Sequence, residues 1–291
     1  MLKYAVFLLD DESVSYCSYE NKQLCNVISA PLLESAVKWA MKENLEIQFV
    51  FPNHLLSQEI LGIIDSVSHI KIMGCHCPYI KHADIIVIDG KGDLPIVDWR
   101  EDGTYILRLS FHELEDALDV ITRVEVAPNR INVIIKDRDL FKKDDIEKYE
   151  TSLNRFSGFL VEKGLRQNKL VQSNLLTDRL FLNEMNNCNA GHESITIAPN
   201  GSFYICPAFY YDGDNSCGNS KTGLFIRNKY LFQLDHAPIC SHCDAYQCMR
   251  CVWMNRKATH EVNTPSQGQC YSSHIERKAS EIRGFLLLQV L

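Results

Sequence analysis

The sequence has little positive charge and no long apolar run. Its 291 residues include 30 lysines and arginines against 37 aspartates and glutamates, which gives a formal net charge of -7. Without a basic run the chain offers no electrostatic field for phosphate backbones, so we expect no nucleic-acid partner. No apolar stretch is long enough to span a bilayer, so we expect no membrane association.

The N-terminus lacks the features of an export signal. The segment MLKYAVFLLDDE has a short apolar run that ends in three acidic residues, and it contains no small-residue cleavage site. We therefore predict a first buried strand and a cytoplasmic location. The sequence also lacks a Gly-rich phosphate loop, a nucleophile elbow and an HExxH stretch, so it gives no support to the enzyme classes that use them.

Cysteine is scarce in the first part of the chain and dense in the second. Of twelve cysteines, four lie in the first 187 residues: Cys17, Cys25, Cys75 and Cys77. The other eight fall between Cys188 and Cys270. Because cytoplasmic thiols are normally kept reduced, this distribution favours metal binding or redox chemistry over disulfides.

The first half of the chain alternates short apolar runs with segments of helical period. This pattern is typical of a parallel sheet covered by helices. The predicted strands are Tyr4 to Leu9, Leu45 to Phe51, Ile70 to Ile72, Ile85 to Ile88, Tyr105 to Leu109 and Ile131 to Ile135. Ser29 and Pro31 predict the start of one helix, Ser110 and Glu113 have the spacing of a capping box, and a longer helix after Asp144 is predicted to stop at Gly164.

The pattern changes near residue 185. From Cys188 onward the chain has short β segments and turns rich in Gly, Asn and Asp. The run Glu193 to Cys206 predicts a hairpin around Asn200-Gly201, a dipeptide that tolerates the positive φ of a tight turn. We therefore predict a βα domain over residues 1–185 and a small cysteine-rich domain over residues 186–291.

The stretch CSHCDAYQCMRC carries the densest group of thiols. It spans Cys240, Cys243, Cys248 and Cys251, and this pair of CxxC motifs fits either a structural zinc site or an iron-sulfur cluster. Together with Cys188, Cys206 and Cys270 there are seven thiols, which is more than one tetrahedral ion needs and one short of two four-ligand sites. The count argues against a single metal site and leaves zinc and iron-sulfur both open.

The order of these cysteines resembles that of the SPASM domain, which carries auxiliary 4Fe-4S clusters in many radical S-adenosylmethionine (SAM) enzymes that modify peptides. The resemblance covers residues 188 to 270. It includes the start Cys188-Asn189-Ala190-Gly191, the hairpin IAPNGSFYICP and the pair Gly218-Asn219. It implies two 4Fe-4S clusters, without which so small a β module would lose its structure.

The resemblance also implies which thiols share a cluster. Cys240, Cys243, Cys248 and Cys270 would hold the distal cluster. Cys188, Cys206 and Cys251 would hold the proximal cluster. The fourth proximal ligand is left open between Cys217, His192 and a position free for a thiolate of the substrate.

The first half resembles the partial (β/α)6 barrel of the radical SAM family. In that family the loop after the first strand carries Cys-x3-Cys-x2-Cys, which holds the cluster that cleaves SAM. Here the matching loop has only Cys17 and Cys25, separated by seven residues. We therefore do not expect SAM as a cofactor, and we interpret Cys17 and Cys25, like Cys75 and Cys77, as ordinary loop cysteines.

Over its full length the chain resembles the maturases of Cys-Xaa-Xaa-Xaa (CXXX) repeat peptides. The block CVWMNRKATHEVNTPSQGQCYSSHIERKAS and the segments LLDDESVSYCSYEN and KENLEIQFVFP carry this resemblance. It implies the maturation of a ribosomally made cysteine-rich peptide, with that precursor and a redox or modification-system protein as partners. The alternatives are a non-catalytic precursor-binding or electron-relay protein and a zinc-binding structural protein.

Overall fold

The chain divides into two compact units, each made from two segments. The computed structural model describes residues 2–22 and 26–288. The first unit comprises Met1–Val87 and Cys188–Pro238, and the second comprises Ile88–Asn187 and Ile239–Leu291. Each unit thus combines residues from both sides of residue 185. The predicted domains 1–185 and 186–291 stay a prediction.

The described residues form ten strands and seven α-helices. The strands are β1 (Tyr4–Leu8), β2 (Glu46–Val50), β3 (His69–Gly74), β4 (Ile85–Asp89), β5 (Thr104–Leu109), β6 (Arg130–Ile135), β7 (Ser194–Ile197), β8 (Phe203–Tyr204), β9 (Gly218–Asn219) and β10 (Gly223–Leu224). The helices are α1 (Ala30–Lys42), α2 (Gln58–Asp65), α3 (Leu114–Ile121), α4 (Lys143–Gln167), α5 (Pro207–Tyr211), α6 (Val252–Thr259) and α7 (Gln267–Leu288).

The first unit is built on a mainly parallel sheet. Its strand order is β4-β3-β2-β1-β7-β8, and every neighbouring pair is parallel except β7 with β8. β7 and β8 form the predicted hairpin, in which Gly201 adopts a φ of 79° and Asn200 accepts a hydrogen bond from the Ser202 amide. The core includes Phe7 and Phe49, whose ring centroids are 5.1 Å apart.

The second unit contains the parallel pair β5 and β6, whose register runs from Thr104 opposite Arg130 to Leu109 opposite Ile135. Helix α4 packs against α7, and α3 contacts α4. Tyr149 and Phe156 of α4 are buried in this unit. Through its packing on α4, helix α7 lies against the βα part of the same unit.

All six strands predicted for the first half are present, so the prediction of a mixed α/β fold with parallel strands is confirmed. Closure into a partial (β/α)6 barrel and an iron-sulfur module at the C-terminal end stay predictions. Among the described residues no helix combines the length and the apolar character needed to cross a bilayer.

Two helix ends differ from the prediction in detail. Helix α4 does not stop at Gly164 but runs to Gln167, because Asn168 adopts the left-handed conformation and caps it, donating its amide to the Gly164 carbonyl. Ser29 is the N-cap residue of α1, but its side chain makes no capping hydrogen bond. The capping box of Ser110 and Glu113 is present as predicted.

Candidate metal centres

Four thiols of the second unit lie within electrostatic reach of one another. Burial raises the pKa of Cys240 to about 11, and the thiols of Cys248, Cys270 and Cys243 add to this rise. Burial also raises the pKa of Cys270, again with contributions from Cys248 and Cys243. We call Cys240, Cys243, Cys248 and Cys270 the second thiol group. These are the four residues predicted to share the distal cluster.

Short turns and one helix position the second thiol group. Cys240 opens a 3-10 turn, and the Cys243 amide donates to its carbonyl at 3.2 Å. The Cys248 amide donates to the Ala245 carbonyl at 2.8 Å, and the Ala245 amide points at Cys243 Sγ at 3.4 Å. Cys270 lies in the first turn of α7. The loop thus supplies three thiols and the helix supplies the fourth.

Buried positive charge accompanies the second thiol group. The Arg250 guanidinium, only 3% exposed, opposes the rise in the pKa of Cys240. The Arg138 guanidinium interacts electrostatically with Cys248. Among the described residues, the buried hydroxyl of Ser273 has no hydrogen-bond partner. Ser273 lies one turn after Cys270 on α7. Cations and an unused donor fit an anionic group held by four thiolates, such as a 4Fe-4S cluster.

A histidine outside the predicted ligand set also contacts this group. His274 Nε2 lies 3.9 Å from Cys243 Sγ. His274 stands four residues after Cys270 on α7, so the two side chains project from neighbouring positions of one helical face. The i, i+4 spacing of Cys270 and His274 is the sequence feature from which His274 could have been identified. A ring N–H at this distance suits a hydrogen bond to a thiolate that binds metal.

The first unit contains a separate set of thiols. Burial raises the pKa of Cys206, the nearby thiol of Cys188 raises it further, and Cys17 adds a smaller contribution. The amides of Phe209 and Ala208 in α5 act in the opposite direction. Cys188 and Cys206 were predicted as proximal ligands, whereas Cys17 was interpreted as an ordinary loop cysteine. We call Cys17, Cys188 and Cys206 the first thiol group.

Tyr16 lies beside the first thiol group. Burial raises its pKa well above the ordinary value, and Cys17, Cys206 and Cys188 add to the rise. The phenol therefore keeps its proton at neutral pH and remains a hydrogen-bond donor next to the three thiols.

The remaining predicted ligands have other surroundings. Cys251 belongs to the second unit, where it caps α6 by accepting a hydrogen bond from the Met254 amide at 3.5 Å. Burial raises the pKa of Cys217, with Asp214 as the next cause, and the Cys217 amide donates to the Phe203 carbonyl at 2.6 Å. His192 follows the turn at Asn189, whose carbonyl accepts from its amide at 3.0 Å. The ligand roles of all three stay predictions.

The other cysteines of the first half differ in placement. Cys25 lies outside the described residues. Cys75 and Cys77 follow β3 in the first unit, and the Cys77 amide donates to the Gly74 carbonyl at 3.0 Å. Burial raises the pKa of Cys77, as expected for a cysteine that serves packing.

A cavity of about 220 Å³ opens at the carboxyl ends of β1 and β2. Leu9 and His54 line it, together with residues 27–30 at the start of α1. His54 Nδ1 lies 3.1 Å from the Leu55 carbonyl, and Nε2 lies 3.1 Å from Asp10 Oδ2. Both ring nitrogens thus face acceptors. The Leu55 carbonyl and the buried Asp10 carboxylate raise the pKa of His54 and favour the imidazolium, although partial burial opposes them.

No family model matches the sequence, and no curated protein matches it. Solved structures do match. The structure of Streptococcus suis SuiB bound to the precursor peptide SuiA gives a TM-score of 0.52 at 12% identity, covering 92% of this chain and 76% of SuiB. SuiB bound to S-adenosylmethionine gives 0.51 at 11% identity, covering 92% and 77%. At this identity the comparison establishes a likeness in fold, and the likeness extends over nearly the whole chain.

Proposed function

We propose that the chain is an iron-sulfur protein that acts in the maturation of a ribosomally made, cysteine-rich peptide of the CXXX-repeat type. The observation that carries the proposal is the likeness in fold, over 92% of the chain, to a protein crystallised with its precursor peptide. The second thiol group, with the buried Arg250 and the largely buried Arg138 near it, supports the iron-sulfur part.

The proposed metal-binding roles are those that the SPASM resemblance implies. Cys240, Cys243, Cys248 and Cys270 would hold one 4Fe-4S cluster, and Cys188, Cys206 and Cys251 are proposed for the other. Each cluster would supply a one-electron carrier. Arg250 offsets negative charge at Cys240, and Arg138, which is paired with Glu276, also interacts with Cys248. The Ser273 hydroxyl is available to donate to a sulfur atom.

The cavity beside His54 is the proposed place for the peptide segment that is modified. Sites of parallel α/β folds lie at the carboxyl ends of the strands, where this cavity opens. The buried Asp10 carboxylate holds His54 and favours its protonated form. His54 is therefore a group in this cavity that can hold a proton and release it to a substrate or solvent.

We propose that the reaction proceeds without reductive cleavage of SAM. The loop from Asp10 to Val27 has two cysteines in its sequence, whereas an initiating cluster with an open iron needs three. SuiB was crystallised with S-adenosylmethionine, so SAM belongs in the test as a variable.

An accessory role is the second candidate. A protein that binds the precursor or relays electrons to another enzyme would also keep two thiol groups without an initiating motif. A zinc-binding structural role is the third, because the paired CxxC spacing of Cys240, Cys243, Cys248 and Cys251 also suits zinc.

Mass spectrometry of the peptide separates these functions. The anaerobically purified protein is incubated with a reductant and a synthetic CXXX-repeat peptide, with and without SAM and with and without lysate of the producing cells. A mass change that needs the protein supports the maturase, and formation of 5'-deoxyadenosine would contradict the SAM-independent route. An unchanged mass under every condition would contradict the maturase in favour of the accessory role.

A further inference from the structure

The loop after β1 is held in a fixed position within the first unit. The Ser13 hydroxyl donates to the Val50 carbonyl at 2.9 Å, and the Val14 amide donates to the Phe51 carbonyl at 3.1 Å. The Asn21 side-chain amide donates a hydrogen bond to the Ser13 carbonyl at 3.2 Å. These bonds tie the segment on both sides of Cys17 to the end of β2 and to itself.

The same loop docks on α5, the helix that begins directly after Cys206. The Tyr210 hydroxyl donates to Asp11 Oδ1 at 2.6 Å, and the Tyr211 hydroxyl donates to the Asp11 carbonyl at 3.0 Å. The rings of Tyr19 and Tyr211 stack with centroids 5.7 Å apart. Asp11 is 2% exposed, so these bonds to it lie in a buried interface. Residues on both sides of Cys17 thus contact the helix that Cys206 precedes.

The first thiol group combines residues from distant parts of the sequence, two of them on the docked loop and directly before α5. Cys17 comes from the loop after β1, Cys188 precedes β7, and Cys206 is the N-cap residue of α5. Tyr16 interacts electrostatically with all three, and Cys206 with both of the others. Three thiols with a tyrosine donor beside them form the kind of group that binds a soft metal or an iron-sulfur cluster.

The competing ligands for this group are less well placed. The Cys217 thiol interacts with Asp214 and with the Ile205 amide. His192 lines another cavity, together with Gly191 and Leu224. Cys17, by contrast, interacts electrostatically with Cys206, and Tyr16, its neighbour in the sequence, interacts with Cys17, Cys188 and Cys206.

We propose that Cys17 is a ligand of the same iron-sulfur centre as Cys188 and Cys206, in the role for which the sequence suggested Cys217 or His192. The inference rests on the iron-sulfur part of the proposed function and not on its peptide chemistry. On binding, the Cys17 thiol loses its proton to solvent and its sulfur coordinates iron.

The test compares Cys17→Ala with Cys217→Ala in the full-length protein, reconstituted anaerobically with iron and sulfide. We expect Cys17→Ala to lose up to about half of the iron and sulfide, or to change the electron paramagnetic resonance spectrum of one centre, since a cluster lacks a ligand. Cys217→Ala is expected to match the wild type. A Cys17→Ala protein that matches the wild type in metal content and spectrum, or loss of metal in Cys217→Ala alone, would overturn the proposal.

Alkylation of the wild type tests the same ligand without any substitution. Iodoacetamide labelling followed by peptide mass spectrometry compares the iron-loaded protein with the chelator-stripped protein. Ligation predicts that iron protects Cys17 strongly and leaves Cys217 unchanged. Equal labelling of Cys17 in both states would overturn the proposal even if the Cys17→Ala variant fails to fold.

The failures of the two proposals are distinguishable. A wild type that binds no iron overturns the iron-sulfur part of the proposed function and this ligand together. A wild type that binds iron but leaves Cys17 unprotected overturns this ligand alone.

Discussion

The two thiol groups differ in how their negative charge is offset. In the first group, backbone amides of Ala208 and Phe209 at the start of α5 ease the deprotonation of Cys206. In the second group, the buried guanidinium of Arg250 eases the deprotonation of Cys240. Burial raises the pKa of both cysteines, so both depend on such help to present thiolates.

The groups also differ in how they are assembled. The second takes three thiols from nine consecutive residues and one from α7. The first collects Cys17, Cys188 and Cys206 from three separate segments and depends on the docking of the loop after β1 against α5. A locally assembled group is visible in the sequence, whereas a group assembled by packing becomes visible only in the structure.

The largest expected effect is the destabilisation of the second unit by Glu276→Gln. The Glu276 carboxylate accepts from Arg138 at 2.6 Å, from Arg179 at 2.8 Å and from Tyr149 at 2.5 Å. Gln keeps the size but removes the charge, leaving two buried guanidinium groups without their anion. The free energy of unfolding should fall by about 3–5 kcal/mol, measured by urea denaturation.

The matched control for this change is Glu150→Gln. Glu150 pairs with Lys278 at 3.0 Å, but both side chains are exposed, so its loss should cost about 1 kcal/mol or less. Equal small losses in both variants would contradict the role assigned to Glu276.

A smaller effect is expected in the first unit from Tyr210→Phe. The change removes the hydroxyl that donates to the buried Asp11 carboxylate, which also accepts from the Asn26 amide at 2.7 Å. The free energy of unfolding should fall by about 1–3 kcal/mol. Cys17 should also become more reactive toward iodoacetamide in the iron-loaded protein, because the loop loses part of its anchor on α5.

The control for that change is Tyr230→Phe, at an exposed position of the same unit. It should leave both stability and Cys17 reactivity unchanged. Unaltered Cys17 reactivity in Tyr210→Phe would indicate that the loop holds its position without the hydrogen bond between Tyr210 and Asp11.

The smallest expected effect is a pH-dependent change in stability caused by His54, which lines the cavity of the first unit. The Leu55 carbonyl and Asp10 raise the pKa of His54 in the folded protein. This contribution to stability is therefore complete below the unfolded pKa of about 6.5 and is lost as pH rises through the higher folded value. Because His54 is partly exposed, the change should stay below about 1 kcal/mol.

Nuclear magnetic resonance titration of the His54 ring checks the direction of this shift. His54→Gln should remove the corresponding pH dependence of unfolding. A His54 pKa at or below the value in an unstructured peptide would contradict the contact with Asp10.

The sequence predicted more of the fold than of the first thiol group. All six strands of the first half were found because parallel strands that are buried on both faces appear as continuous apolar runs. The hairpin at Asn200-Gly201 was found because its turn needs a residue at positive φ. The end of α4 was missed because Gly164 sits inside the helix and Asn168 caps it.

The proximity of Cys17 to the predicted ligands could not be predicted from the sequence, for a physical reason. Its sequence neighbours show neither CxxC spacing nor a histidine, and its proximity to Cys188 and Cys206 arises from packing between segments more than 150 residues apart. The contacts that create it, between Asp11 and Tyr210 and between Tyr19 and Tyr211, have no local sequence signature. His274 could have been found from its spacing to Cys270 on a helix.

Iron-sulfur clusters at both thiol groups are the basis of the proposed function. The most direct measurement is the content of iron, acid-labile sulfide and zinc in the anaerobically purified protein, read together with its Mössbauer spectrum. Two 4Fe-4S clusters predict about eight iron and about eight sulfide per chain, with the spectrum of cubane clusters. Stoichiometric zinc without acid-labile sulfide would contradict the account.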